Sequence, residues 1–324
     1  MNVTILGTGA YGLSLALMFH RNKCNIKMWA KFEPEREMLE KEHENKNKLP
    51  GVKLPKDITY TTNMKEAVEG ADLIVVAVPA GFVDSTSSEL KYCIKPNQHI
   101  CIASKGIERD TCSFVYDILA RYIDTDKIAV ISGPSFAVDI ASLCPIGLSL
   151  ATTNEKTEEI MKKTLQNDFL KLRTTHDIVG VEICGSIKNV IAIAAGMLDG
   201  MGFPESTQAM FITESLNDIK NLIAALGGDR KTILSFAGFG DLLLTATSVK
   251  SRNFKYGVIL ATGTKEEINE YENNTTIEGL YTLQSIYKLL KDKKVEMPII
   301  DLIYDIIYEG KDPKSLATFL IEKD

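Results

Sequence analysis

The chain opens on a short β-rich run, Val3 to Leu6, followed at once by Gly7-Thr8-Gly9-Ala10-Tyr11-Gly12 and a helical apolar pattern through Leu13, Leu15, Ala16, Leu17 and Phe19. Strand, glycine turn and helix in that order constrain the fold more than any other stretch. Gly7 permits the tight turn, Gly9 lets the backbone approach a pyrophosphate, and Gly12 lets helix and strand pack closely. The N–H groups at the helix start, at Ala10 and Tyr11, then face the phosphates. The run reads as a dinucleotide-binding turn.

Further strand signals recur at Ile26 to Trp29, Ile58 to Thr61, Leu73 to Val78, Ile100 to Ala103, Ile128 to Ile131, Ile146 to Leu150 and Leu170 to Thr174, with helical patterns between most of them. That alternation marks a doubly wound sheet, whose ligands lie beyond the carboxyl ends of its strands. From Val181 strand runs disappear, and Ile212, Leu216, Ile219, Ile223 and Leu226 recur at helical spacing. A chain of 324 residues exceeds a typical single core. The expected class is α/β, with an N-terminal doubly wound Rossmann-type domain over 1–180 and a C-terminal all-helical domain over 181–324. Residues 34–48, dense in Glu and Lys, read as an exposed helix and loop closed by Leu49-Pro50-Gly51.

A formal net charge of -6 and the lack of a Lys/Arg block argue against a nucleic-acid partner. The six cysteines are scattered without a C-x-x-C pair or histidines at metal-ligand spacing, so they read as buried thiols of a reducing compartment, with no metal. Met1-Asn2 leads straight into the first strand, and no apolar run reads as long enough to cross a bilayer. A cytoplasmic protein without an integral membrane segment is expected.

Several strand ends carry candidate chemistry. After Trp29, where an NAD site places an acidic residue for the ribose, stand Ala30, Lys31 and Phe32. Lys31 with Arg36 suits a 2′-phosphate, while Glu33 keeps NAD in play; the expectation is NADP with NAD also accepted, the alternative being solvated surface charges. Phe82, after Val78-Pro79-Ala80-Gly81, is placed against a cofactor ring or packs within its loop. Ser104-Lys105-Gly106 puts a cation where cofactor and substrate meet. Ser132-Gly133-Pro134-Ser135-Phe136-Ala137 reads as a rigid turn with free backbone N–H groups.

In the helical half, Gly185 to Gly200 reads as one helix with Ile187, Val190, Ile191, Ala194 and Leu198 on an apolar flank and Gly185, Lys188, Ala192, Ala195 and Asp199 on another face. Small residues beside a desolvated lysine leave an open groove, making Lys188 a candidate proton carrier; a snorkelling or ion-paired lysine is the alternative. Asp241 follows two glycines, as an N-cap or a site carboxylate. Ser251-Arg252-Asn253 offers a planar guanidinium flanked by hydrogen-bonding side chains, suited to bidentate capture of phosphate. Thr276-Ile277-Glu278-Gly279 precedes a further helix.

Together these motifs resemble the NAD(P)-dependent glycerol-3-phosphate dehydrogenases, particularly the bacterial form, over nearly the whole chain. The specific part is the Lys188-Asn189 helix with Phe239-Gly-Asp-Leu-Leu-Leu-Thr245 and Ser251-Arg-Asn253. The resemblance implies that Lys188 exchanges the proton as sn-glycerol 3-phosphate and dihydroxyacetone phosphate interconvert with NAD(P)(H). Burial and cations such as Lys105 and Arg252 would favour its neutral form. Asp241, Thr245 and Asn189 would orient the lysine or substrate hydroxyls; Ser251, Arg252 and Asn253 would hold the phosphate; Lys105 would position the substrate and balance its charge. Gly133, Ser135 and Ala137 would line substrate and cofactor, with Arg252, Thr276 and Glu278 near the cofactor, in an interdomain cleft. The resemblance further implies ketone reduction for membrane lipids, and a homodimer is expected as the commonest soluble assembly. Glu214, in Thr213-Glu214-Ser215, and Phe254 depart from usually basic positions. β-Hydroxyacid dehydrogenases and ketopantoate reductases are rivals, but they set an asparagine one helical turn after the lysine, where this chain has Ala192. A non-catalytic cofactor-binding module is the other rival, and it would not need Lys188, Asp241 and Arg252 together.

Overall fold

The structure, a computed structural model, describes residues 1–322. Eight strands, β1 (Asn2–Leu6), β2 (Asn25–Trp29), β3 (Thr59–Thr61), β4 (Leu73–Val76), β5 (His99–Ile102), β6 (Ile128–Ser132), β7 (Ile146–Ala151) and β8 (Leu170–Thr175), form one sheet in the order β3-β2-β1-β4-β5-β6-β7-β8. The central strands β4, β5 and β6 are buried along their whole length, which is why they read as unbroken apolar runs. At the edge, β8 alternates Leu170 and Leu172 inward with Lys171 and Arg173 outward. The pairing is parallel from β3 through to β6, but β7 runs antiparallel to β6. The short link between them carries only a five-residue helix, too little for the usual parallel crossover.

Helices α1 (Ala10–Arg21), α2 (Glu33–Glu42), α3 (Met64–Val68), α4 (Val83–Leu90), α5 (Val115–Ala120), α6 (Ala137–Ala141) and α7 (Glu155–Leu165) accompany the sheet. They belong to a first compact unit, Met1–Lys105 with Val115–Ile178. The second unit joins Gly106–Phe114, a turn closed by an Ile107–Phe114 bridge, to a segment from Val179 onward that is mostly helical among the described residues. It holds α8 (Ile178–Gly200), α9 (Glu205–Ala225), α10 (Asp241–Ala246), α11 (Arg252–Thr262), α12 (Lys265–Asn274), α13 (Glu278–Lys293), α14 (Pro298–Tyr308) and α15 (Ser315–Glu322). Gly106–Phe114, for which the sequence carried no signal, is tied to α13 by Lys288, which donates to the Asp110 carbonyl at 3.2 Å, and by Arg109 over the Tyr281 ring.

Two expectations need correction. Helix α8 is long and apolar enough to cross a membrane, with a mean hydropathy of 1.7; 78% of that apolar window is nevertheless buried inside the fold, so it is a core helix. The cysteines are also not all buried: Cys144 is exposed and Cys93 half-buried.

Candidate active site

In the first unit the glycine turn joins β1 to α1 beside β4, where the strand order reverses. Gly7 has φ +116°, and a Cβ there would lie 2.9 Å from the Ala77 carbonyl oxygen; a Cβ on Gly12 would lie 2.5 Å from the Gly7 oxygen. Around Gly9, by contrast, nothing lies within 4 Å of that position, leaving the backbone open to a ligand. No side chain caps α1 and no acidic residue stands in its first turn. Open backbone at an uncapped helix start fits the pyrophosphate of a dinucleotide.

Around this turn the structure brings several candidates together. Tyr11 Oη lies 3.3 Å from Ser135 Oγ, and Lys105 Nζ stands 5.8 Å from the Tyr11 ring centroid. Ser135 donates to the Gly133 carbonyl at 2.9 Å, and Ala137 opens α6. Ser104, next to Lys105, hydrogen-bonds the Val76 and Val78 carbonyls and so fixes the strand ends. Phe82 is 60% exposed rather than packed in its loop. Lys31 lies over Trp29 and 3.8 Å from Glu89 Oε2. Arg36 is held between Glu33 and Glu40, and Glu33 also accepts from Thr62, so neither is a lone solvated charge.

In the second unit Lys188 projects from α8 to donate to Asp241 Oδ1 at 2.5 Å and Thr245 Oγ1 at 3.1 Å. Its side chain is 12% exposed and that of Asp241 only 1%. Asp241 is not an N-cap. A π-helical turn, Phe236–Gly240, runs directly into α10, and Ser235 caps that turn by accepting from the Gly238 N–H at 3.2 Å. Asp241 and Thr245, one helical turn apart, therefore face Lys188 together, and the Thr245 hydroxyl also reaches the Asp241 carbonyl at 2.6 Å. Burial disfavours the ammonium form while the adjoining carboxylate favours it.

The next residue starts a second network. Asn189 Nδ2 donates to Glu278 Oε2 at 3.3 Å, and its Oδ1 accepts from Asn253 Nδ2 at 3.1 Å. Asn253 Oδ1 in turn accepts the Gly279 N–H at 2.9 Å. Arg252, the first residue of α11 after the Ser251 N-cap, has its guanidinium 3.7 Å from Glu278 Oε1, and Tyr271 donates to its carbonyl at 3.1 Å. Thr276 is exposed just before α13. Of the two departures, Phe254 is a packing residue at 3% exposure, and Glu214 is half-buried on α9.

Close backbone approach makes this cluster possible. A Cβ on Gly196 of α8 would overlap the Phe254 carbonyl of α11, and one on Gly257 of α11 would overlap the Ile193 carbonyl of α8. A Cβ on Gly279 of α13 would lie 2.7 Å from the Asn189 carbonyl oxygen. The small residues of α8 thus serve contact rather than space: Ala192 and Ala195 are fully buried and line no open surface beside Lys188. Gly196 and Gly200, four residues apart, were the available sequence signal for this close packing.

Two family models match the chain: the NAD-dependent glycerol-3-phosphate dehydrogenase N-terminus over residues 2–158 and the corresponding C-terminus over residues 177–318. The chain belongs to this family. Among curated relatives, a glycerol-3-phosphate dehydrogenase [NAD(P)+] of Fusobacterium nucleatum is 35% identical, covering 100% of this chain and 97% of the relative. One from a Thermoanaerobacter species is 36% identical, covering 100% and 98%. The crystal structure of a glycerol-3-phosphate dehydrogenase from Coxiella burnetii superposes with a TM-score of 0.93 at 29% identity, covering 99% of each chain. Membership in the glycerol-3-phosphate dehydrogenase family sets aside the hydroxyacid-dehydrogenase reading and agrees with an asparagine beside the lysine rather than one turn on.

Proposed function

We propose that this protein is a glycerol-3-phosphate dehydrogenase that interconverts sn-glycerol 3-phosphate and dihydroxyacetone phosphate with NAD(P)(H). The observation that carries this reading is the buried Lys188–Asp241–Thr245 cluster on a chain whose other unit carries an open dinucleotide turn. A nicotinamide cofactor held at the Gly7–Gly12 turn would supply hydride-transfer chemistry at the substrate's central carbon. The chain's own residues do the rest. Lys188 Nζ accepts the hydroxyl proton in oxidation and returns one to the carbonyl oxygen in reduction. Asp241 and Thr245 hold Nζ in place, and Asn189 is held in turn by Asn253 and Glu278. Arg252, at the start of α11 with Ser251 and Asn253, binds the phosphate dianion by charge and helix-terminal N–H groups. Lys105, Gly133 and Ser135 contribute to the substrate, while Gly7, Gly9, Ala10, Tyr11, Gly12, Lys31, Phe82 and Ala137, with Lys105, Arg252, Thr276 and Glu278, serve the cofactor. The physiological direction is ketone reduction supplying glycerol phosphate for membrane lipids, by a cytoplasmic homodimer.

The test is oxidation of NADH and NADPH, measured in parallel, with dihydroxyacetone phosphate. Turnover is expected with both cofactors, and Lys188→Ala should abolish it while still binding cofactor. Turnover with a hydroxyacid and none with the ketone phosphate would sink the assignment. A preference for NADH above about tenfold, roughly 1.4 kcal/mol, would remove the role given to Lys31.

A further inference from the structure

The loop after α2 reads as exposed from sequence, yet Glu44, Asn45 and Leu49 are buried, Asn45 at 2% exposure. Asn45 uses both ends of its amide. Oδ1 accepts the Asn47 N–H at 3.2 Å and the Lys48 N–H at 3.1 Å, which shapes the loop. Nδ2 donates to Glu35 Oε1 at 2.8 Å and to the Thr8 carbonyl at 3.3 Å. With two N–H groups at one end and two oxygens at the other, the amide has one orientation. The loop is braced around it: Glu44 accepts the Gly51 N–H at 2.8 Å and pairs with Lys53, while Leu54 N–H reaches the His43 carbonyl at 2.7 Å.

Thr8 lies between the two glycines of the dinucleotide turn, and the Thr8–Gly9 peptide is trans. In a trans peptide the carbonyl and the following N–H point in opposite directions. Holding the Thr8 carbonyl towards Asn45 therefore turns the Gly9 N–H away from it. The turn is also tied by Gly7 N–H to the Trp29 carbonyl at 3.0 Å and Leu13 N–H to the Gly9 carbonyl at 3.0 Å. Neither grips this peptide from its carbonyl side.

We propose that Asn45 is a positioning residue for the dinucleotide turn, clamping the Thr8–Gly9 peptide so that its N–H is preset for a phosphate oxygen. The inference rests on the dinucleotide reading of that turn. It makes cofactor affinity depend on residues 43–54, a segment distant in sequence from the turn.

Asn45→Asp tests it, because the carboxylate keeps the acceptor for Asn47 and Lys48 but sets an oxygen against the Thr8 carbonyl and Glu35. Kd for NADH and NADPH, read by fluorescence titration, should rise about tenfold, with kcat at saturating cofactor and KM for the ketone substrate each within about twofold. A folded variant with unchanged Kd, or with kcat falling as far as affinity, would overturn the proposal. Amide hydrogen exchange of the unaltered protein gives a second reading that no misfolded variant can spoil. On adding NADH, segments 7–12 and 43–51 should gain protection together; protection of 7–12 alone would overturn it. Unaltered protein that binds neither NADH nor NADPH would instead remove the dinucleotide reading itself.

Discussion

At the level of single residues, the proposed chemistry turns on what surrounds one amine. Lys188 is nearly buried and spends hydrogen bonds on a buried carboxylate and a hydroxyl, so its position is fixed by its partners rather than by its own flexible stem. Replacing Asp241 by Asn keeps the shape and removes the charge. That leaves a lysine without its anion, and kcat is expected to fall about a hundredfold, the low end of what a positioned acid–base group contributes. Kd for NADH should stay within about twofold. A comparable loss of cofactor affinity would show that Asp241 supports the fold of the unit rather than the placement of the amine.

At the scale of elements, α8, α11 and α13 meet through backbone contact at Gly196, Gly257 and Gly279. Each helix contributes to the network at the crossing: Asn189 from α8, Asn253 from α11 and Glu278 from α13. Gly257→Ala would drive a methyl group into the Ile193 carbonyl, which belongs to backbone and cannot rotate aside. A loss of about 3 kcal/mol is expected, the upper range for overpacking, with a lowered midpoint in urea. An unchanged midpoint would mean that the helices separate at little cost. The burial of Ala192 and Ala195 assigns the same kind of penalty to any enlargement there.

At the scale of the whole molecule, one buried base ties stability to pH. His99 on β5 is buried with Nδ1 2.8 Å from Thr157 Oγ1 of α7, and burial, aided by Lys127 and Lys156, holds its pKa below the ordinary 6.5. The unfolded chain therefore binds a proton below pH 6.5 that the folded chain still refuses. Its stabilising contribution is complete above that pH and is lost as pH falls through the folded value. Thermal midpoints measured from about pH 7 down to about pH 5 should decline less steeply for His99→Gln than for the unaltered chain. Parallel declines would assign the acid sensitivity to other groups.

Features that depend on local backbone and periodicity were legible in the amino-acid sequence. The strand, glycine turn and helix at Gly7 to Gly12, the buried strands of the sheet and the change to helices after Val181 all follow from conformations and faces set within a few residues. Lys188 and Asp241 stood out as candidates because charge inside apolar or glycine-rich runs is costly unless used, and Arg252 because hydrogen-bonding side chains flank its guanidinium. Periodicity did not place their partners: the resemblance implied Asp241 and Thr245 beside Lys188, and the fold supplies the contacts. Lys188 and Asp241 lie 53 residues apart, and Asn45 reaches back 37 residues to Thr8. The direction of β7, the full burial of Ala192 and the burial of Glu44, Asn45 and Leu49 within an otherwise exposed loop were equally hidden. Such contacts depend on how closely backbones approach and which volumes fill the gap between them, and neither quantity is carried by the spacing of residues along the chain.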